Sequence, residues 1–113
     1  MVDKTLIWIG SSRDDVRSFP DDARRDAGFQ LRQVQRGRDP KDWKAMPNVA
    51  PGVREIRIHT AVEHRVVYLA KFAEGVYVLH AFEKKARKIP QRELEIVQNR
   101  LRALLRQRRG QKW

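Results

Sequence analysis

"HRVVYLAKFAEGVYVLHAF", residues 64–82, is the stretch that decides the fold. Two apolar runs, HRVVYLAKF and GVYVLHAF, are joined by AEG, whose Gly75 also begins the second run, and this length suits a tight β-hairpin with Gly75 at the turn. Both runs are apolar at successive positions, so both faces of each strand should be buried. They are therefore predicted to be neighbouring central strands of one sheet.

The remaining strands and helices follow from the residues on either side. TLIWI (5–9) and VREIRIH (53–59) are β-branched or alternating runs typical of strands. Ser12 with Asp15 resembles a capping box, and Pro20 suits the start of a second helix. The apolar spacing of that helix and its stop at a glycine are carried by Ala23, Ala27, Leu31, Val34 and Gly37.

The chain closes with a third helix, predicted over residues 90–108, and residues 38–53 are predicted to be a loop because they hold three prolines. The order is then β-α-α-β-β-β-α. We expect an α+β fold in which an antiparallel twisted sheet carries its helices on one face and leaves the other face open. The apolar stripe of the last helix consists of Leu94, Val97, Leu101, Leu104 and Leu105.

Length and composition limit the class of protein. With 113 residues the chain is expected to form a single domain, 1–113. It has no cysteine, which excludes disulfides and thiol catalysis. The apolar run at the N-terminus is too short for a signal peptide or a membrane span. The expected location is the cytoplasm, with no membrane partner.

The charge is strongly one-sided. Residues 84–113 hold eleven Lys and Arg against two acids, so this last quarter of the chain carries +9 of the net charge of +11. Such a concentrated field favours a polyanionic partner: nucleic acid, an acidic protein or an anionic surface. A merely solubilising surface would spread its charge more evenly.

Most enzyme motifs are missing from the sequence. There is no glycine-rich nucleotide loop and no HExxH, and the three histidines lack the spacing of metal ligands on one helix. The serines all lie near the N-terminus, where they are interpreted as helix caps. No metal and no small-molecule cofactor is predicted.

Cations at strand ends are the chemistry that the chain does offer. Glu55 and Arg57 share a strand face, Arg65 begins the next strand, and Lys84 and Lys85 end the last one. In an antiparallel hairpin these two strand ends meet, so the cations should converge. Arg and Lys can stabilise the charge of a phosphodiester transition state, and attack by a 2′-hydroxyl needs no metal ion. The alternative is a solvated charged edge.

Other candidate residues have more than one possible role. Phe82 is a platform for a nucleic-acid base or a core residue. His80 is interpreted as a satisfied core histidine. The Arg-rich side of the last helix, which includes Arg92, tracks a phosphate backbone or meets an acidic partner.

The sequence also resembles a known family. VREIRI, HRVVYLAKF and GVYVLHAFEKKARKIPQRELEIVQNRL, within residues 53–101, resemble the phage-derived branch of the RelE/HigB toxin superfamily. There an hR(V/I)hY strand, a hairpin and an hxLLHxFxKKxxKTPxxE segment recur as a unit. Ile89 stands where that branch usually has Thr, which removes a helix N-cap.

The resemblance implies the toxin of a type II toxin–antitoxin system. Such a toxin is a ribosome-dependent, metal-independent endoribonuclease that cuts mRNA by 2′-hydroxyl attack, and a helix-turn-helix antitoxin of the XRE type silences it. The alternatives are a non-catalytic RNA or ribosome binder and a phage structural or assembly protein. The catalytic candidates are Glu55, Arg57, Arg65, Lys84, Lys85 and Lys88, and the RNA-binding candidates are Arg54, Phe82, Arg87 and Arg92.

Overall fold

The computed structural model describes residues 3–110 of the chain. A five-stranded sheet has the strand order β1-β5-β4-β3-β2, so the two apolar strands of the hairpin, β4 and β5, lie inside it as predicted. The elements are β1 Thr5–Trp8, α1 Ser12–Arg17, α2 Asp21–Gln35, β2 Trp43–Ala45, β3 Val53–His59, β4 Glu63–Leu69, β5 Gly75–Glu83 and α3 Gln91–Gly110.

The α+β class is confirmed, but the prediction of a wholly antiparallel sheet is wrong. β1 pairs with β5 in parallel, with Leu6 opposite Val76, whereas all other strand pairs are antiparallel. Two helices separate β1 from the rest of the sheet, so no hairpin fixes its direction.

The prediction that the helices pack on one face is also wrong. One core cluster joins α1 and α2 to Ile56, Val66 and Val78, and a second joins α3 to Val67 and Leu79. Neighbouring strand residues point to opposite faces, so the two clusters lie on opposite sides of the sheet. The physical reason is that β4 and β5 are apolar on both faces, and each face needs its own cover.

Two local predictions need correction. The predicted loop 38–53 contains the short edge strand β2, in which Lys44 pairs with Glu55. Ser12 does not form a capping box, because it is a buried first-turn residue whose hydroxyl donates to the Val78 carbonyl at 2.9 Å. This bond ties the start of α1 to β5.

The longer helices agree with their sequence patterns. The spaced apolar residues of α2, Ala23, Ala27, Leu31 and Val34, are buried, and Gly37 follows the helix with a φ of 81°. α3 buries Val97, Leu101 and Leu104. Within residues 3–110, no helix is long and apolar enough to cross a membrane.

Candidate functional site

Two arginines face each other on the α3 side of the sheet. Arg57 on β3 and Arg65 on β4 are direct cross-strand partners. Arg65 is only 4% exposed. Like charges placed directly opposite each other destabilise a sheet, so this pair needs compensating anions.

Each arginine has a carboxylate two residues away on its own strand. Oε1 of Glu55 lies 3.5 Å from Nε of Arg57, and Oε1 of Glu63 lies 3.0 Å from Nη1 of Arg65. Nη1 of Arg65 also donates to the His64 carbonyl at 2.9 Å. Period-2 alternation puts all four charged groups on one sheet face.

Three buried polar atoms of this group lack a hydrogen-bond partner among the described residues: Oε2 of Glu55, Nε of Arg57 and Nε of Arg65. Nε of Arg57 is within ion-pair distance of Glu55, but the two groups form no hydrogen bond. Unpaired buried polar groups cost stability, and folded proteins keep few of them, often at functional sites. The group therefore has unused capacity both to donate and to accept.

Glu55 and Arg57 lie in the wall of a cleft of about 570 Å³. One side comes from β2 and the turn after it, and the other from the segment between β5 and α3. We call it the basic cleft, because its walls contain five cations and a single carboxylate. These charged residues are Lys44, Glu55, Arg57, Lys84, Arg87 and Lys88.

The cationic segment is fixed at both ends. The Lys84 amide donates to the Glu63 carbonyl at 2.8 Å, which extends the β4–β5 ladder by one residue. At the other end Ile89 packs against the second core cluster, and the Pro90 carbonyl accepts from the Leu94 amide at 3.2 Å in the first turn of α3. The segment is thereby held beside the cleft.

The structure brings together only some of the predicted site residues. Glu55, Arg57, Lys84, Arg87 and Lys88 line the basic cleft, and Arg65 lies beside Arg57. The strand ends of Arg65 and Lys84 do meet, as the hairpin predicted.

Lys85 and Arg92 are not part of the cleft. Their side chains are 82% and 85% exposed, and the Lys85 ammonium lies 3.4 Å from Glu83. Lys85 follows Lys84 directly, and successive residues at a strand end diverge. Lys85 therefore lies outside the cleft that Lys84 lines, and its role in the site stays a prediction.

Arg54 and Phe82, two of the predicted RNA-binding residues, contact other side chains of the protein outside the basic cleft. Arg54 lies on the α2 face of the sheet, 3.0 Å from Asp39 and with its guanidinium carbon 3.9 Å from the centre of the Trp43 ring. It neighbours Glu55 in sequence, so it faces the opposite way. Phe82 is 8% exposed and stacks on His80 at 5.3 Å. Its ring is a core residue in this arrangement.

His80 is a satisfied buried histidine, as predicted. Its Nε2 lies 3.0 Å from a carboxylate oxygen of Glu93, and its Nδ1 lies 3.4 Å from Nη1 of Arg100. Arg100 also donates to the Leu79 carbonyl at 2.8 Å. These contacts attach α3 to β5 near the cationic segment.

A network that the sequence did not reveal borders the arginine pair. Nε2 of His59 lies 2.5 Å from Asp42, and its Nδ1 lies 2.9 Å from both carboxylate oxygens of Glu63. The hydrogen bonds to Asp42 and then Glu63 raise the pKa of His59. His59 in turn lowers the pKa of Glu63, with a smaller contribution from Arg65.

Only the strand register makes this network visible, because Asp42 precedes β2 and lies far from Glu63 in sequence. Lys44 was missed for the same reason. In the part of the chain that the structure describes, no group of three or more His, Asp or Glu side chains is arranged to hold a metal ion.

Comparison with known proteins gives one family. The family described as "Phage derived protein Gp49-like (DUF891)" matches residues 14–102, which include the hairpin, the basic cleft and most of α3. The comparison with curated proteins gives no match.

Proposed function

Because the chain belongs to the Gp49-like family of phage-derived proteins, a RelE/HigB-like toxin family, we propose that it is the toxin of a type II toxin–antitoxin system. In this proposal it cleaves mRNA on the ribosome and is silenced by a helix-turn-helix antitoxin. The observation that carries the proposal is the single carboxylate, Glu55, set among five cations in the basic cleft. That composition suits a polyanionic substrate together with one proton acceptor.

The reaction in this proposal is attack by the 2′-hydroxyl on the neighbouring phosphorus. The bond between phosphorus and the 5′-oxygen breaks, which leaves a 2′,3′-cyclic phosphate on one fragment and a 5′-hydroxyl on the other. Glu55 takes the proton of the attacking hydroxyl, and its unpaired Oε2 is the acceptor. A lysine of the cleft, Lys84 or Lys88, gives a proton to the leaving oxygen.

The arginine pair has the electrostatic role. Negative charge builds on the non-bridging oxygens as the pentavalent phosphorane forms, and guanidinium groups donate to such oxygens in a fork. Arg57 in the cleft wall is the first donor and Arg65 beside it is the second. These side chains supply the positive charge without a metal ion.

In this proposal the ribosome and the antitoxin are the partners. The family resemblance suggests both, and the positive charge supports binding to the ribosome. A net charge of +11 attracts ribosomal RNA as well as mRNA, and the exposed arginines of α3 extend the basic surface beyond the cleft. The antitoxin would silence the protein by denying mRNA access to the cleft.

The test separates activity from site assignment. Inducible expression of the wild type should arrest growth and cut mRNA on translating ribosomes, whereas Glu55→Gln and Lys84→Gln should not. Lys85→Gln is the matched control, because it removes the same charge next in the chain but outside the cleft.

Loss of toxicity in Lys85→Gln to the same degree as in Lys84→Gln would contradict the site. A wild type that neither arrests growth nor cuts RNA would contradict the function.

The second candidate is a non-catalytic RNA binder, which the excess of cations over carboxylates in the cleft favours. It predicts salt-dependent binding to ribosomes with intact mRNA. Primer extension on the bound mRNA distinguishes the two functions.

A further inference from the structure

A second cavity lies on the α2 face of the sheet, and no step of the proposed reaction uses it. Its volume is about 240 Å³. The end of α2 and the residues after it, Lys4 before β1, the start of β3 and the end of β4 line it. Because Tyr68 and Val34 in its wall belong to the core cluster under α2, it is separated from the basic cleft by the sheet. We call it the rear cavity.

The rear cavity has an excess of positive charge. Lys4, Arg38, Arg54 and Lys71 line it, with Asp39 as the one carboxylate. Asp39 is already engaged, because its Oδ1 lies 3.0 Å from Nη1 of Arg54. Among the described residues, no carboxylate pairs with the other three cations.

The Tyr68 side chain points a neutral donor into this positive surrounding. Tyr68 is 2% exposed, and its ring is packed in the core while its hydroxyl end borders the cavity. Burial raises the pKa of the phenol, and the nearby Arg54 guanidinium offsets this only in part, so the hydroxyl keeps its proton. The same guanidinium is within hydrogen-bonding reach of the phenol oxygen, which leaves the hydroxyl proton to be donated elsewhere.

We propose that the rear cavity binds a phosphate group, carried by inorganic phosphate or by a nucleotide. Phosphate oxygens take several donors at once, and the cavity offers a phenol, guanidinium groups and ammonium groups, with Asp39 as its carboxylate. The volume exceeds a single phosphate yet lies below the roughly 300–1,000 Å³ of pockets for larger ligands. Gly37, with a φ of 81°, leaves the mouth open, since a Cβ built there meets nothing within 4 Å. This site is independent of the proposed function.

Backbone amide NMR with the intact chain tests the proposal. Inorganic phosphate should shift the amides of Gly37, Gly52 and Tyr68 and reach saturation, whereas chloride at equal ionic strength should not. Arg38→Gln and Tyr68→Phe should each weaken phosphate binding by about tenfold or more, the effect of losing one hydrogen bond to a charged group. An unchanged amide spectrum elsewhere shows that each variant is folded.

Arg36→Gln is the matched control, because it removes the same charge two residues away at an exposed position outside the cavity. If it weakens binding as much as Arg38→Gln does, or if chloride gives the same shifts, the cavity has only a general field and the proposal is overturned.

Adenosine monophosphate and adenosine identify the source of the phosphate. Tighter binding of the nucleotide than of phosphate, with no binding of adenosine, indicates a nucleotide site. Equal affinity for nucleotide and phosphate indicates a site for the phosphate alone. Binding of adenosine as tight as that of the nucleotide would contradict a phosphate site.

Discussion

Arg57 and Arg65 lie directly opposite each other on β3 and β4, and each keeps an Nε group without a hydrogen-bond partner among the described residues. Such a pairing of like charges is unfavourable in a sheet and is balanced here by Glu55 and Glu63. The pair is therefore poised to gain from an anion, which is the basis of its proposed role.

Arg65→Lys tests whether the guanidinium fork matters beyond its charge. We expect cleavage on translating ribosomes to fall by about 100-fold, the effect of removing one donor to a developing oxyanion. Single-turnover cleavage measures the rate, and Arg92→Lys, at an exposed position outside the cleft, should cleave like the wild type. A wild-type rate for Arg65→Lys would reduce Arg65 to a structural residue.

The His59 network predicts a pH-dependent contribution to stability. The folded-state pKa of His59 is raised, so its contribution is fully present below the unfolded pKa of about 6.5 and is lost as pH rises through the folded pKa. Because the side chain is 51% exposed, solvent screening keeps the effect at about 1 kcal/mol or less.

Urea unfolding of the wild type and of His59→Gln measures the contribution of His59 to the free energy of unfolding. The difference between them should be largest near about pH 6 and should shrink above the folded pKa. A difference that grows with pH would have the wrong sign. The contribution of Glu63 has the opposite pH dependence, because the pKa of its carboxyl is lowered in the folded protein. It is present at neutral pH and is lost as pH falls below about 4.

Leu101→Ala tests the second helical layer. Leu101 is buried in the cluster between α3 and the sheet, so its truncation should cost about 2–5 kcal/mol of unfolding free energy. Leu105 is only partly buried beside the same cluster, so Leu105→Ala should lower the free energy of unfolding by clearly less. Chemical denaturation measures both, and equal small losses would contradict packing of α3 on the sheet.

Two glycines should respond to alanine in opposite directions. Gly28 lies inside α2 with nothing within 4 Å of a built Cβ, so Gly28→Ala should raise stability by about 0.5–1 kcal/mol. At Gly75 a built Cβ lies 2.7 Å from the Thr5 carbonyl oxygen, so Gly75→Ala should push β1 away and destabilise the protein. Thermal unfolding compares them, and a stabilised Gly75→Ala would contradict the parallel pairing of β1 with β5.

The elements of the fold could be predicted where their signals are local. The apolar stripes of α2 and α3 and the run in β4 and β5 depend on residues close in sequence, and each has the predicted type. The length of the hairpin loop could not be predicted, because five residues rather than three separate Leu69 at the end of β4 from Gly75 at the start of β5. The capping role predicted for Ser12 was wrong, because a serine near a helix start serves equally well as a cap or as a buried donor to another strand.

The candidate site was predictable in its chemistry but less so in its membership. The run of cations after β5 predicts a phosphate-binding region. Which of its members converge depends on the direction in which each side chain leaves the strand end, and this separates Lys84 from Lys85. Lys44 and the Asp42–His59–Glu63 network had no sequence signal, because their contacts join separate strands.

The sequence by itself determined the helices, the strands other than the short edge strand β2, and the sign of the charge, because hydrophobic periodicity and composition act over a few neighbouring residues. Only the tertiary structure decided that helices cover both faces, that β1 runs parallel to β5, and that Arg57 meets Arg65 beside a single carboxylate. Those features depend on strand register and on which surface each helix covers. Both are set by the packing of residues distant in the chain.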